Sequence, residues 1–121
     1  MRRVIIESPF AGDTKANIAY ARLAMRDSLS RGEAPMASHL LYTQDGILRD
    51  EIPHEREWGI AAGLAWGALA DATVVYTDRG ISTGMKYGIA DAERTGRPIE
   101  YRTLKGDPLP ERPALNRRGE G

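Results

Sequence analysis

Short β-branched runs alternate along this chain with stretches whose apolar positions recur every three or four residues. The first run, Val4-Ile5-Ile6, is closed by Ser8-Pro9 and by Ala11-Gly12-Asp13, which predicts a buried strand followed by a loop. Asp13 or Thr14 then stands where a helix cap belongs. Ile18, Ala21, Met25 and Leu29 make one apolar helical face, with Arg22, Arg26 and Asp27 on the other side and Gly32 at the stop. Residues 34–43 predict a second strand with Pro35 at its start. A polar loop runs from Gln44 to Ile52, and Pro53 opens a second helix with Glu55 and Glu57 in its early part. Residues 72–77 form the clearest strand. A third helix is expected from about Met85 to Thr95, ended by Gly96, and residues 98–102 supply the last strand.

Strand and helix alternate throughout, and such a pattern folds as a parallel sheet with helices on both faces. The expected fold class is therefore α/β, a Rossmann-like or flavodoxin-like three-layer sandwich on a small parallel sheet of four or five strands. Residues 1–104 make the domain, and residues 105–121, with three prolines and several charges, read as a C-terminal tail. In such folds ligands bind beyond the carboxyl ends of the strands. That rule selects Glu7–Asp13, the stretch after Tyr42, and Asp78–Gly84.

Composition narrows the function classes. The 121 residues suffice for one core, and 41% hydrophobic content is too high for a disordered chain. Seventeen basic and seventeen acidic side chains cancel, which removes the usual electrostatic basis for nucleic-acid binding. The absence of cysteine excludes thiolate metal sites and thiol catalysis. No apolar run reaches the ~20 residues of a membrane span, and the apolar start is too short for a signal peptide, so a cytoplasmic protein is expected.

Two loops carry the candidate chemistry. Asp78–Met85 (DRGISTGM) combines Gly80 and Gly84, which allow close backbone approach, with the hydroxyls of Ser82 and Thr83 at the start of a helix, an arrangement that favours an anion. The plain alternative is a strand-to-helix turn with Ser82 as the cap. Ser8-Pro9-Phe10-Ala11-Gly12-Asp13 should converge with it at the same sheet edge, where Phe10 either stacks on a base or plugs the core. His39 and His54 lack the carboxylate spacing of a metal site, and no Gly-x-Ser-x-Gly elbow supports a nucleophilic triad. Neither a metal nor a cofactor is expected. Gly59, Gly63 and Gly67 share one face of the second helix at a cost of roughly 3 kcal/mol in propensity. With Trp58 and Trp66 they suggest a tight helix–helix contact, and hence a homo-oligomer.

The segments Val4–Asp13, Asn17, residues 37–41 (ASHLL) and Ala70–Ile99, with Ser82-x-Gly84-Met85 and Gly96-x-Pro98, resemble the nucleoside 2-deoxyribosyltransferase-like superfamily. The resemblance spans roughly residues 4–103 and is strongest to small phage and bacterial members, related to deoxynucleoside 5′-monophosphate N-glycosidases. It implies a nucleoside or nucleotide pocket near a subunit contact. It also implies that Asp78, Gly80, Ser82, Thr83, Gly84 and Met85 hold the sugar or its 5′-phosphate. Ser8, Pro9, Phe10, Gly12, Asp13, Asn17 and His39 would complete the site. The catalytic glutamate of the superfamily falls, by position, on Gly88, and a glycine cannot act as a nucleophile.

That departure favours a protein that binds a nucleotide or nucleotide-derived ligand without glycosidase chemistry, of the kind that would sequester a signalling nucleotide in phage anti-defence. The rival is a deoxyribosyltransferase or N-glycosidase in which Glu7 or Asp78, both at strand ends, supplies the carboxylate. Glu7 draws notice because an acid at the end of a buried strand needs a partner or a purpose. Asp91 and Glu93, further along the third helix, are expected to face solvent.

Overall fold

The computed structural model describes residues 1–104; the predicted tail lies outside the described residues. Eight elements follow in order: β1 (Arg2–Glu7), α1 (Thr14–Ser30), β2 (Glu33–Met36), α2 (Ser38–Leu41), α3 (Pro53–Gly67), β3 (Ala72–Tyr76), α4 (Thr83–Thr95) and β4 (Ile99–Arg102). The four strands are parallel in the order β2-β1-β3-β4, with Glu7 opposite Val75 and Tyr76 opposite Arg102. Helices cover both faces, so the expected three-layer α/β sandwich is the fold.

Alternation along β1 divides its side chains between the layers. Val4 and Ile6 pack with Val74 and Tyr76 against Tyr20 and Ala24 of α1. Ile5 and Glu7 point to the opposite face, which α3 and α4 cover. The ends of the helices follow the sequence closely. Asp13 accepts a hydrogen bond from Ala16 N at the start of α1, and Ser82 accepts one from Met85 N at the start of α4. Gly96 closes α4 in the left-handed conformation, φ 75°.

Three expectations are corrected. Residues 34–43 are not one strand: β2 stops at Met36, and Ser38–Leu41 form a short helix, so His39 is helical. Pro35 donates no ladder bond and β2 is an edge strand, so extension gains little. The Ala37 carbonyl instead accepts from Leu40 N and Leu41 N.

The buried face of α1 is Asn17, Tyr20, Ala21, Ala24, Asp27 and Ser28, while Leu29 is exposed. Asp27 faces inward because the Tyr76 hydroxyl lies buried beneath the helix and donates to it at 2.6 Å. Asp91 is also buried, paired with Arg97 at 3.0 Å and with Arg94.

The glycine stripe of α3 faces its own subunit. A Cβ at Gly63 would lie 2.5 Å from Ser38 Oγ, one at Gly67 3.2 Å from the Arg97 guanidinium, and one at Gly59 3.3 Å from Leu48. The glycines therefore let α2 and Arg97 approach α3.

Candidate functional site

The carboxyl ends of β1 and β3 open into a cavity of about 370 Å³ between the sheet, α3 and the start of α4. Both predicted loops reach it. From the first come Ser8, Phe10 and Gly12; from the second, Ser82, Thr83, Gly84 and Met85. His39 enters from α2. Convergence follows from β1 and β3 being adjacent and parallel, so that their trailing loops share one rim.

The rest of the predicted set serves this rim from outside. Asn17 donates from Nδ2 to the carbonyls of Phe10 and Ala11, each at 3.1 Å, and its Oδ1 accepts from Arg79 Nε at 2.7 Å. It thus ties the two loops together. Pro9, Asp78 and Gly80 line a second hollow on the far side of that seam. Asp78 Oδ1 accepts from the Tyr20 hydroxyl at 2.7 Å and from Leu104 N at 2.8 Å, bonds that fix the end of β3. Asp13 lines neither hollow and caps α1. Ser82 borders the cavity while its hydroxyl caps α4.

Glu7 is the one strand-end acid inside the cavity. Its position follows from three local facts. The β1 alternation directs it toward α4, α4 crosses the sheet there, and the α4 residue beneath the carboxyl is Gly88. A Cβ on residue 88 would lie 2.5 Å from Glu7 Cδ and closer still to Oε2. No side chain larger than hydrogen fits at residue 88 unless Glu7 moves. The space over Gly88 is therefore filled by a carboxyl from β1.

The electrostatics of this group are unusual. Among the described residues the Glu7 carboxyl has no hydrogen-bond partner and no ion pair within 4 Å. Burial pushes its pKa up to about 8, and the field of Arg97 only partly opposes that rise. Arg97 is itself held away, donating to Thr73 Oγ1 at 3.0 Å, to the Gly67 carbonyl at 2.9 Å and to Asp91. Ser8 and His39 line the same cavity, with Ser8 Oγ 2.7 Å from His39 Nε2. Burial lowers the His39 pKa to about 4, so the imidazole is neutral at pH 7 and has one ring nitrogen for the serine.

Arg97, Arg56 and Ser38 also border the cavity. Arg97 had no local signal; it arrives, like Ser38, through packing against the α3 glycines. Among the described residues no group of three or more histidine and acidic side chains could hold a metal ion, and no helix is long and apolar enough to cross a membrane.

This arrangement, a four-stranded parallel sheet with a cavity at its carboxyl edge, is similar in fold to a solved deoxyribosyltransferase. A solved 2-deoxyribosyltransferase from the psychrotolerant bacterium Bacillus psychrosaccharolyticus, described as a biocatalyst for nucleoside synthesis, matches with a TM-score of 0.59. The match covers 87% of this chain and 74% of that one at 17% sequence identity, a likeness of fold. The chain belongs to the family described as a domain of unknown function, DUF7768, whose model matches residues 2–102. No curated protein matches it in sequence.

Proposed function

We propose that this protein cleaves or transfers the N-glycosidic bond of a nucleoside or nucleotide, with Glu7 as the working carboxylate. The observation that carries this reading is the Glu7 carboxyl, buried in the main cavity and left without a hydrogen-bond partner among the described residues over a glycine that makes room for it. A buried acid without a structural partner costs stability, and such groups concentrate where chemistry needs them. The fold it shares with a deoxyribosyltransferase agrees with this class of reaction.

The step is a displacement at the anomeric carbon. The ionised Glu7 oxygen bonds to that carbon as the carbon–nitrogen bond breaks, and the electron pair leaves with the base, which takes up a proton from solvent. Water or a second base then attacks the glycosyl ester, releases the carboxylate and gives up a proton. Arg97 favours the ionised form through its field. The neutral His39 and Ser8 offer hydrogen bonds to the sugar or base, and Arg56 with the start of α4 suits an anionic substituent.

Chromatography of nucleosides and 5′-monophosphates incubated with the protein, with and without an acceptor base, tests the proposal. The wild type releases or exchanges base, and kcat/KM rises about tenfold per pH unit below pH 8 and then levels, because the carboxylate is the active form. Glu7→Gln loses at least about a hundredfold, whereas Asp78→Asn retains turnover if folded.

A second reading is favoured by the same elevated pKa. At pH 7 only about a tenth of Glu7 is ionised, and a neutral acid in a shaped cavity serves a pure receptor for a nucleotide or nucleotide-derived ligand. Micromolar binding by calorimetry with no base released at pH 6, 8 or 9 would select that reading and abandon the first. It would also leave open a sequestering role toward a signalling nucleotide.

A further inference from the structure

Gly88 and Asp91 are three residues apart in α4 and so share one face of that helix. Gly88 lies under the Glu7 carboxyl, and Asp91 brings a second buried acid one turn further on. The guanidinium of Arg97, whose side chain is only 7% exposed, stands near both, and Asp91 holds it. The hold is directional. Nη2 donates to Asp91 Oδ2 at 3.0 Å, Nη1 to the Gly67 carbonyl at 2.9 Å and Nε to Thr73 Oγ1 at 3.0 Å. Thr73 is the register partner of Ile5, two residues before Glu7 on the same face of the sheet. The anchor of the guanidinium is thus about 7 Å along the strand from the level of the Glu7 carboxyl. Its field reaches Glu7, but no hydrogen bond does.

We propose that Asp91 is a positioning residue for Glu7: by holding Arg97 down the sheet, it keeps the cavity carboxyl out of a salt bridge and open to a ligand. Among the described residues, the other ionisable groups around the cavity supply no counter-charge in place of Arg97. His39 of α2 is neutral, Asp50 before α3 and Tyr87 of α4 carry no positive charge, and Arg56 of α3 lies by Gly84 at the start of α4. Arg94 pairs with Asp91 from the solvent side. If Asp91 loses its charge, Arg97 becomes a buried cation without its counter-ion, a strongly disfavoured state, and the acid left on that face is Glu7. Arg97 then turns to Glu7, which ionises to meet it. The consequence for turnover rests on the reading of Glu7 as the working carboxylate; the competition of the two acids for Arg97 does not.

Carbon NMR of the full chain, labelled at the glutamate carboxyls and titrated with pH, tests this, the Glu7 signal being assigned by its absence from Glu7→Gln. The wild-type midpoint lies at about 8. Asp91→Asn moves it down by about one pH unit or more, and Arg97→Met, which removes the cation while Arg94 still neutralises Asp91, moves it up. On the turnover reading, the rising limb of the pH–rate profile follows the same shift. Asp91→Asn then raises kcat/KM about fivefold at pH 7, as the ionised share of Glu7 goes from about a tenth to about a half. A purely structural Asp91 would leave the Glu7 midpoint in place while the melting temperature falls, and that result overturns the proposal. If Asp91→Asn fails to fold, Arg97→Met decides: a midpoint unmoved by loss of the cation overturns it equally. Midpoints that shift as stated, with no base released from any nucleoside or nucleotide, uphold the proposal and tell against the turnover reading alone.

Discussion

Replacing Glu7 by glutamine keeps the shape of the side chain and removes its proton, so its effect on stability isolates the cost of the buried acid. The folded pKa is about 8 against 4.5 for the free group, raised chiefly by desolvation. Below pH 4.5 both the folded and unfolded chains hold the proton, and Glu7 contributes no pH dependence. Between pH 4.5 and 8 the unfolded chain has released a proton that the folded chain keeps. Stability therefore falls as pH rises, by about 1.4 kcal/mol per pH unit. Above pH 8 both forms are ionised and the penalty is constant at about 5 kcal/mol. Glutamine has no such dependence. Glu7→Gln should match the wild type near pH 4.5, exceed it by about 3 kcal/mol at pH 7 and by about 5 kcal/mol at pH 9. Urea denaturation of both proteins at pH 5, 6, 7, 8 and 9, with matched m-values, measures the difference. Two stability curves that run parallel across this range would refute the buried, unpaired state of the carboxyl. A more stable but inactive variant is the signature of a residue kept for function at the expense of the fold.

Two further substitutions probe the same architecture. Gly88→Ala places a methyl group inside the space of the Glu7 carboxyl and should cost about 1–3 kcal/mol. In a Glu7→Gly background most of that cost should vanish, and a double-mutant cycle with coupling below about 0.5 kcal/mol would show the two positions to be independent. On the other face, Arg102 and Glu33 form a buried bidentate pair at 2.8 and 2.7 Å. Glu33→Gln leaves the guanidinium short of its buried counter-charge and should cost about 3–5 kcal/mol in urea melts at neutral pH, a loss under 1 kcal/mol contradicting the pairing.

The cavity depends on α3, and the pattern of that helix shows where local sequence stops being informative. Three glycines at intervals of four mark a close approach, and the approach is there. The spacing carries no label for what approaches. Ser38 and Arg97 come from distant parts of the chain and occupy the groove. Asp27 and Asp91 show the same gap from the other side. Each looks like a solvated charge in its own helix, and each is buried because a Tyr76 hydroxyl or an Arg97 guanidinium arrives from another element. His39 moved from strand to helix because Pro35 and an edge position shorten β2, and strand position in a sheet is not written in a ten-residue window.

Element type, order and capping belong to the local sequence. β-Branched runs extend, three-and-four periodicity coils, Asp13, Ser82 and Gly96 end helices, and right-handed crossovers then leave few sheets to choose from. The convergence of the Ser8 and Asp78 loops was legible for that reason, because a parallel sheet sends the loops after adjacent strands to one edge. What tertiary structure alone decided is which of those residues line the cavity and in what charge state. The Glu7 carboxyl owes its place to the crossing of α4, its room to the missing side chain of Gly88, and its proton to the water that the packed layers exclude. Solvation, and contact between residues as far apart in sequence as Glu7 and Gly88, are properties of the packed whole, since no short window of sequence contains both partners.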